Sequence, residues 1–126
     1  MVRCILPWAA LPALLCAADS RIDHVTVAGS DIQQMQAKLA SVGIASVYGG
    51  AHSNQATEMA LVSFPDGSYL ELMGIQPHAE AAAVAGHVWA KFLRENAGPC
   101  AWAMRDKNLA AEVRRLKAAG DRKSVV

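Results

Sequence analysis

From residue 22 the chain alternates, with Ile22, His24 and Thr26 set against Asp23, Val25 and Val27, and this period of two predicts a β-strand. Ser30-Asp31-Ile32-Gln33 then reads as a capping box, in which the Ser30 hydroxyl accepts from the Gln33 amide and the Gln33 side chain reaches back. A helix is predicted from there, with Ile32, Met35, Leu39 and Val42 on one face and Gly43 as a left-handed C-terminal cap. A short strand is expected at 45–48, followed by a loop over Gly49-Gly50-Ala51-His52-Ser53-Asn54-Gln55. Thr57 to Phe64 and Ser68 to Met73 read as two strands joined by Pro65-Asp66-Gly67, whose glycine supplies positive φ. The predicted unit is β-α-β-β-β.

After Pro77 an alanine-rich helix is expected as far as Glu95, with Val84, Val88 and Phe92 at spacings of four and Trp89 beside them. Asn96-Ala97-Gly98-Pro99 ends it. Cys100 to Arg105 then reads as a strand, and Leu109, Val113 and Leu116 as the apolar face of a helix closed by Gly120. An offset of 77 places Ile32 on Leu109, Leu39 on Leu116, Gly43 on Gly120, Val25 on Trp102 and Val27 on Met104. The chain begins the same unit twice.

Composition changes the picture at the two ends. The 126 residues are 53% hydrophobic and 18% charged, which fits one compact domain. Much of that hydrophobicity lies in the first eighteen residues: Met-Val-Arg, an apolar run from Cys4 to Leu15, then Cys16-Ala17-Ala18. This order predicts a signal peptide over 1–18 and a secreted or periplasmic protein. The run is too short for a bilayer span, which needs about 20 residues. Cleavage after Ala18 leaves Cys100 as the single cysteine, so no internal disulfide is expected. At the other end, 121–126 (Asp-Arg-Lys-Ser-Val-Val) matches one translation frame of a common sequencing-adapter DNA. That stretch is set aside as an artefact, and the chain is expected to be a fragment cut off at Gly120.

Twelve Lys+Arg against eleven Asp+Glu, scattered without a basic stripe, argue against nucleic acid and, after signal cleavage, against a membrane as partners. Phosphate-cradling glycine motifs and a Gly-x-Ser-x-Gly nucleophile are both missing from the sequence. Cys100 opens an expected core strand and reads as a structural thiol.

Ile22-Asp23-His24-Val25, the Gly49-Gly50-Ala51-His52 loop and Phe64-Pro65-Asp66-Gly67-Ser68-Tyr69-Leu70-Glu71-Leu72 together resemble the glyoxalase-like domains of the vicinal oxygen chelate superfamily, known from bacterial glyoxalase, bleomycin-resistance and dioxygenase proteins. The resemblance runs over residues 22–120. It implies an α+β fold in which two βαβββ modules, each a curved sheet, enclose a cavity. The first module would occupy 22–76, a connecting helix 77–97, and the start of a second module 98–120. In metal-binding members the ligands come from the first and last strand of each module, which here points to His24 and Glu71. The sequence departs from a full metal set, because the offset of 77 places Ala101 on His24 and the second module's last strand is not in the chain. Relatives often carry Gly-Thr-x-Asn where this chain has Ala56-Thr57-Glu58-Met59, so that Met59 replaces a polar cavity residue with a thioether.

Strand alternation supports part of this independently. If Val25, Val27, Leu70 and Leu72 pack under the helix, then His24, Thr26, Tyr69, Glu71 and Met73 face the concave side. His52, on a glycine-bordered loop, is the third candidate ligand; His78 and His87 read as surface residues. Two imidazoles and a carboxylate suit one divalent ion such as Zn, Mn, Fe or Ni, and a metal-free site is the other reading. The functional expectation is a glyoxalase-like protein handling a small oxygenated molecule by lyase, isomerase or dioxygenase-type chemistry, with His24 and Glu71 as metal ligands or as an acid/base pair. The alternative is a non-catalytic module that sequesters a small ligand. An incomplete second module is expected to expose Leu61 and Met73, and to leave the chain aggregating or pairing as a homodimer.

Overall fold

The computed structural model describes residues 20–95 and 98–121. The expected signal peptide, Asn96 and Ala97, and the adapter-like residues from 122 onward lie outside the described residues. The fold is mixed α+β, in the order β1 (Arg21–Ala28), α1 (Ile32–Ala40), β2 (Val47–Ala51), β3 (Thr57–Ser63), β4 (Tyr69–Ile75), α2 (Ala81–Ala85), α3 (Ala90–Glu95), β5 (Gly98–Arg105) and α4 (Leu109–Ala118). The first five elements reproduce the predicted β-α-β-β-β unit. The strands form one open sheet in the order β2-β3-β4-β1-β5, with β1 and β4 parallel and every other pair antiparallel.

The β3–β4 turn forms as the sequence predicts. Gly67 has φ +81, and the Asp66 carboxylate accepts from the Ser68 amide at 2.9 Å and the Ser68 hydroxyl at 2.7 Å. The start of α1 differs by one residue. Asp31, in extended conformation, is the N-cap, and its carboxylate accepts from the Gln34 amide at 2.9 Å. The C-terminus of α1 closes as a Schellman turn: the Gly43 amide donates to the Ala40 carbonyl and the Ile44 amide to the Leu39 carbonyl, with Gly43 at φ +82. Val42, expected on the apolar face, is 70% exposed because it sits in that turn. Space beside Gly43 is open, so a side chain there is penalised by backbone conformation alone. Gly43→Val is expected to cost about 1–2 kcal/mol. Thermal unfolding checks this, since an unchanged midpoint would mean that the turn tolerates the side chain.

Two elements differ more. The expected loop at Gly49 to Ala51 is the second half of β2, carried past a register shift between Tyr48 and Gly50 in which Gly50 takes φ +112. The expected single helix after Pro77 is two short ones. Gly86 caps α2, the His87 Nδ1 accepts from the Trp89 amide at 3.1 Å, and Val88 is left 77% exposed. Packing explains the break, because it lets Trp89, Phe92 and fully buried Leu93 dock on Ala28 and Met73. Met73, expected to be exposed, is therefore covered by α3 and only 7% accessible. On the other sheet face α1 packs Ile32 against Ala60 and Leu72, with Val27, Met35 and Leu39 around them.

The β1–β5 ladder carries the repeat. β5 begins and ends 77 residues after β1, and α4 begins 77 residues after α1. Asn108 caps α4 through the Ala111 amide as Asp31 caps α1 through that of Gln34, and Gly120, at φ +92, closes α4 with the same two backbone bonds found at Gly43. Val25 pairs with Trp102, its own image at that offset. The flanking pairs Thr26 with Ala101 and His24 with Ala103 are images of each other, as are Ile22 with Met104 and Val27 with Pro99. A local twofold axis therefore passes through the Val25–Trp102 pair. Asp23 and Cys100, skipped by the register, are symmetry-related bulges.

Candidate functional site

Opposite α1, the sheet brings together the residues that alternation selects. Glu71 on β4 is paired with Thr26 on β1, whose buried hydroxyl donates to Glu71 Oε2 at 2.6 Å and fixes the carboxylate. Its two oxygens then face two imidazoles: His24 Nε2 lies 4.0 Å from Oε2, and His52 Nε2 lies 3.4 Å from Oε1. All three side chains are largely but not fully covered, at 23% exposure for His24, 25% for His52 and 13% for Glu71. Tyr69 stacks on the His24 ring at 4.7 Å and 20°. Burial, and then the carboxylates of Asp23 and Glu71, push its phenol above the usual range.

Met73 is part of the Ala28–Leu93 core, and Met59 is paired across from it on β3. His78 is exposed, as expected. His87 is half-buried, and burial followed by the nearby His52 holds it below the ordinary histidine range. Cys100 packs against the same core, where burial, and then the Glu71 charge, push its thiol up. It stays a structural thiol.

His52 is held by its loop. The Asn54 carboxamide oxygen accepts from the Ala56 and Thr57 amides at 2.9 and 3.0 Å, forming an Asx turn across Gln55, which has φ +56. Thr57, fully buried, bonds His52 Nδ1 at 2.8 Å and accepts from Asn54 Nδ2 at 2.9 Å. The Gln76 amide then donates to the carbonyls of both His52 and Thr57, at 2.8 and 2.7 Å. None of these supports was read from the sequence, although an Asn three residues before a strand is the turn signal that could have marked them.

His24 is held by a residue that alternation places on the wrong face. The β1 bulge puts Asp23 beside its neighbour, so that Asp23 Oδ2 meets His24 Nδ1 at 2.9 Å. Arg105 Nε donates to the other oxygen at 2.6 Å. The His24 bond first, and Arg105 after it, hold the Asp23 carboxyl below its ordinary range. An ionised Asp23 can only accept, so Nδ1 is the His24 nitrogen that donates to it, and Nε2 is the one turned toward Glu71.

As a metal centre the donor set falls short. Among the described residues no group of three or more His, Cys, Asp or Glu side chains is arranged to hold an ion, and Glu71 Oε2 is already engaged by Thr26. The chemistry that His24, Glu71 and His52 carry by themselves is proton transfer.

No curated protein matches the chain. Among solved structures it is similar to methylmalonyl-CoA epimerase from Mycobacterium tuberculosis, with a TM-score of 0.63 and 25% identity over 86% of this chain and 70% of that one. A hypothetical protein from Bacillus halodurans gives a TM-score of 0.60 at 17% identity, covering 80% of this chain and 69% of that one. A Streptomyces coelicolor methylmalonyl-CoA epimerase in complex with 2-nitronate-propionyl-CoA gives 0.56 at 21%, covering 81% and 73%. The last two show the shared fold alone. A family profile described as the glyoxalase-like domain matches residues 22–125. The chain belongs to the glyoxalase-like domain family of the vicinal oxygen chelate superfamily.

Proposed function

We propose that this domain catalyses an isomerase-type proton transfer at a carbon next to a carbonyl in a small oxygenated molecule. The observation that carries this reading is the Glu71 carboxylate held between the Nε2 atoms of His24 and His52, at 4.0 and 3.4 Å. In this reading His24 Nε2 takes the proton, and the electron pair of the C–H bond moves onto the carbonyl oxygen. Asp23 steadies the imidazolium that forms, and Glu71 relays the proton onward. Solvent, which receives the relayed proton, returns one to the opposite face of the carbon as the carbonyl re-forms and its electron pair makes the new C–H bond, which gives the epimer. The epimerase neighbours support an acyl thioester as the substrate class.

The test is exchange of the α-hydrogen of methylmalonyl-CoA, and of a simple α-branched 2-oxo acid, in deuterated buffer, followed by proton NMR. The wild-type chain is expected to accelerate exchange of one of them over buffer. His24→Ala and Glu71→Gln are each expected to reduce that acceleration by about 10²–10⁴-fold. Exchange at the buffer rate with the wild-type chain, alongside saturable binding, would instead make the domain a sequestering module.

A further inference from the structure

We propose that Arg105, on the first strand of the second repeat, is a positioning residue that sets the tautomer of His24 in the first. The inference rests on the reading of His24 as proton acceptor and adds what makes it one. Arg105 uses two separate donors. Nε reaches Asp23 Oδ1 at 2.6 Å, and Nη2 reaches the Gly67 carbonyl of the β3–β4 turn at 2.6 Å. The guanidinium plane is thereby fixed to the turn, and the Asp23 carboxylate is fixed to the guanidinium. With Oδ1 occupied, Oδ2 is the oxygen left for His24 Nδ1, at 2.9 Å.

The chain of contacts runs from Gly67 through Arg105 and Asp23 to His24, and its only rigid fork is the guanidinium. Lysine could supply a charge but not two donors at fixed separation. The local twofold axis adds a second argument. The counterpart of Arg105 in β1 is Ala28, and that of Asp23 in β5 is Cys100. The clamp therefore has no symmetry mate, and it lies on the side that carries the histidine.

The test reads the ring nitrogens directly by nitrogen-15 NMR of His24 in the full chain at neutral pH, with no substrate present. In the wild type the proton is expected on Nδ1. Arg105→Met and Arg105→Lys are both expected to reduce the ratio of that tautomer to the other by about tenfold, the scale of one hydrogen bond to a charged group.

Asp23→Asn supplies a sharper contrast. With Arg105 present, its carboxamide oxygen is held by Nε, its NH2 turns to His24, and the proton moves to Nε2. In the Asp23→Asn, Arg105→Met double variant that bias is expected to disappear. Thermal unfolding of each variant separates a tautomer change from loss of fold, and Arg105→Lys, which keeps the charge, covers the case in which Arg105→Met does not fold. A wild-type tautomer ratio in a folded Arg105→Met or Arg105→Lys, or the same ratio in Asp23→Asn with and without Arg105, overturns the proposal. Because no substrate is used, a failed exchange assay with an intact tautomer effect would remove the proposed reaction and leave the role of Arg105 standing.

Discussion

Gly74→Val is expected to prevent stable folding, and Gly74→Ala to cost about 1–3 kcal/mol or more. Gly74 lies in β4 where α1 crosses the sheet. A Cβ there would come within 2.7 Å of Ile32 Cβ, 2.9 Å of the Ile32 amide nitrogen and 3.2 Å of Ile32 Cα. Two of those atoms are backbone at the first residue of the helix, so no rotamer change relieves the overlap. The helix must lift, and lifting it uncovers Ala60 and Leu72, which are buried beneath Ile32. Domains of this size are stable by only about 5–15 kcal/mol. Urea unfolding of the alanine variant is the measurement, and a midpoint equal to that of the wild type would show that α1 shifts without cost.

Leu93→Ala is expected to be the other severe change, at about 2–5 kcal/mol. Leu93 is fully buried, and with Ala28 and Met73 it forms the core on the face opposite α1. The helix carrying it is only six residues long, too short to hold itself, so its order depends on this packing. Ala28 and Met73 are each two positions along their strands from Thr26 and Glu71. The cavity left by the leucine therefore opens beside the site, and Leu93→Met, which keeps the volume, is expected to recover most of the loss. Calorimetry of the two variants decides; equal midpoints would place the main support of α3 elsewhere.

What the sequence disclosed follows physical range. Strand β1 and the β3–β4 hairpin were legible because alternation and Pro-Asp-Gly are local signals that burial reinforces. His24, Thr26, Tyr69 and Glu71 share a face for the same reason. The α1 cap was misplaced by one residue because Ser30 and Asp31 are both good caps, and only backbone conformation chooses between them. The break between α2 and α3 came from docking of Trp89 and Leu93 on a distant strand, against the helical preference of the alanines. Asp23 was hidden because a bulge defeats alternation, and Arg105 because its contact spans 82 residues.

That span also ranks the steps by which the site assembles. The Asp66–Ser68 contact closes over 2 residues, Thr26–Glu71 over 45 and Arg105–Asp23 over 82. Closure entropy rises with the logarithm of that length, and non-local pairings are the slow ones. By chain entropy alone the hairpin forms first, β1 then brings His24 to Glu71, and β5 arrives last with Arg105. A chain whose β5 has not yet docked already holds Glu71 and both imidazoles near one another, but His24 still lacks the fork that orients it. The contact that orients His24 is then the last of the three to form, delayed until the second repeat has docked on the first.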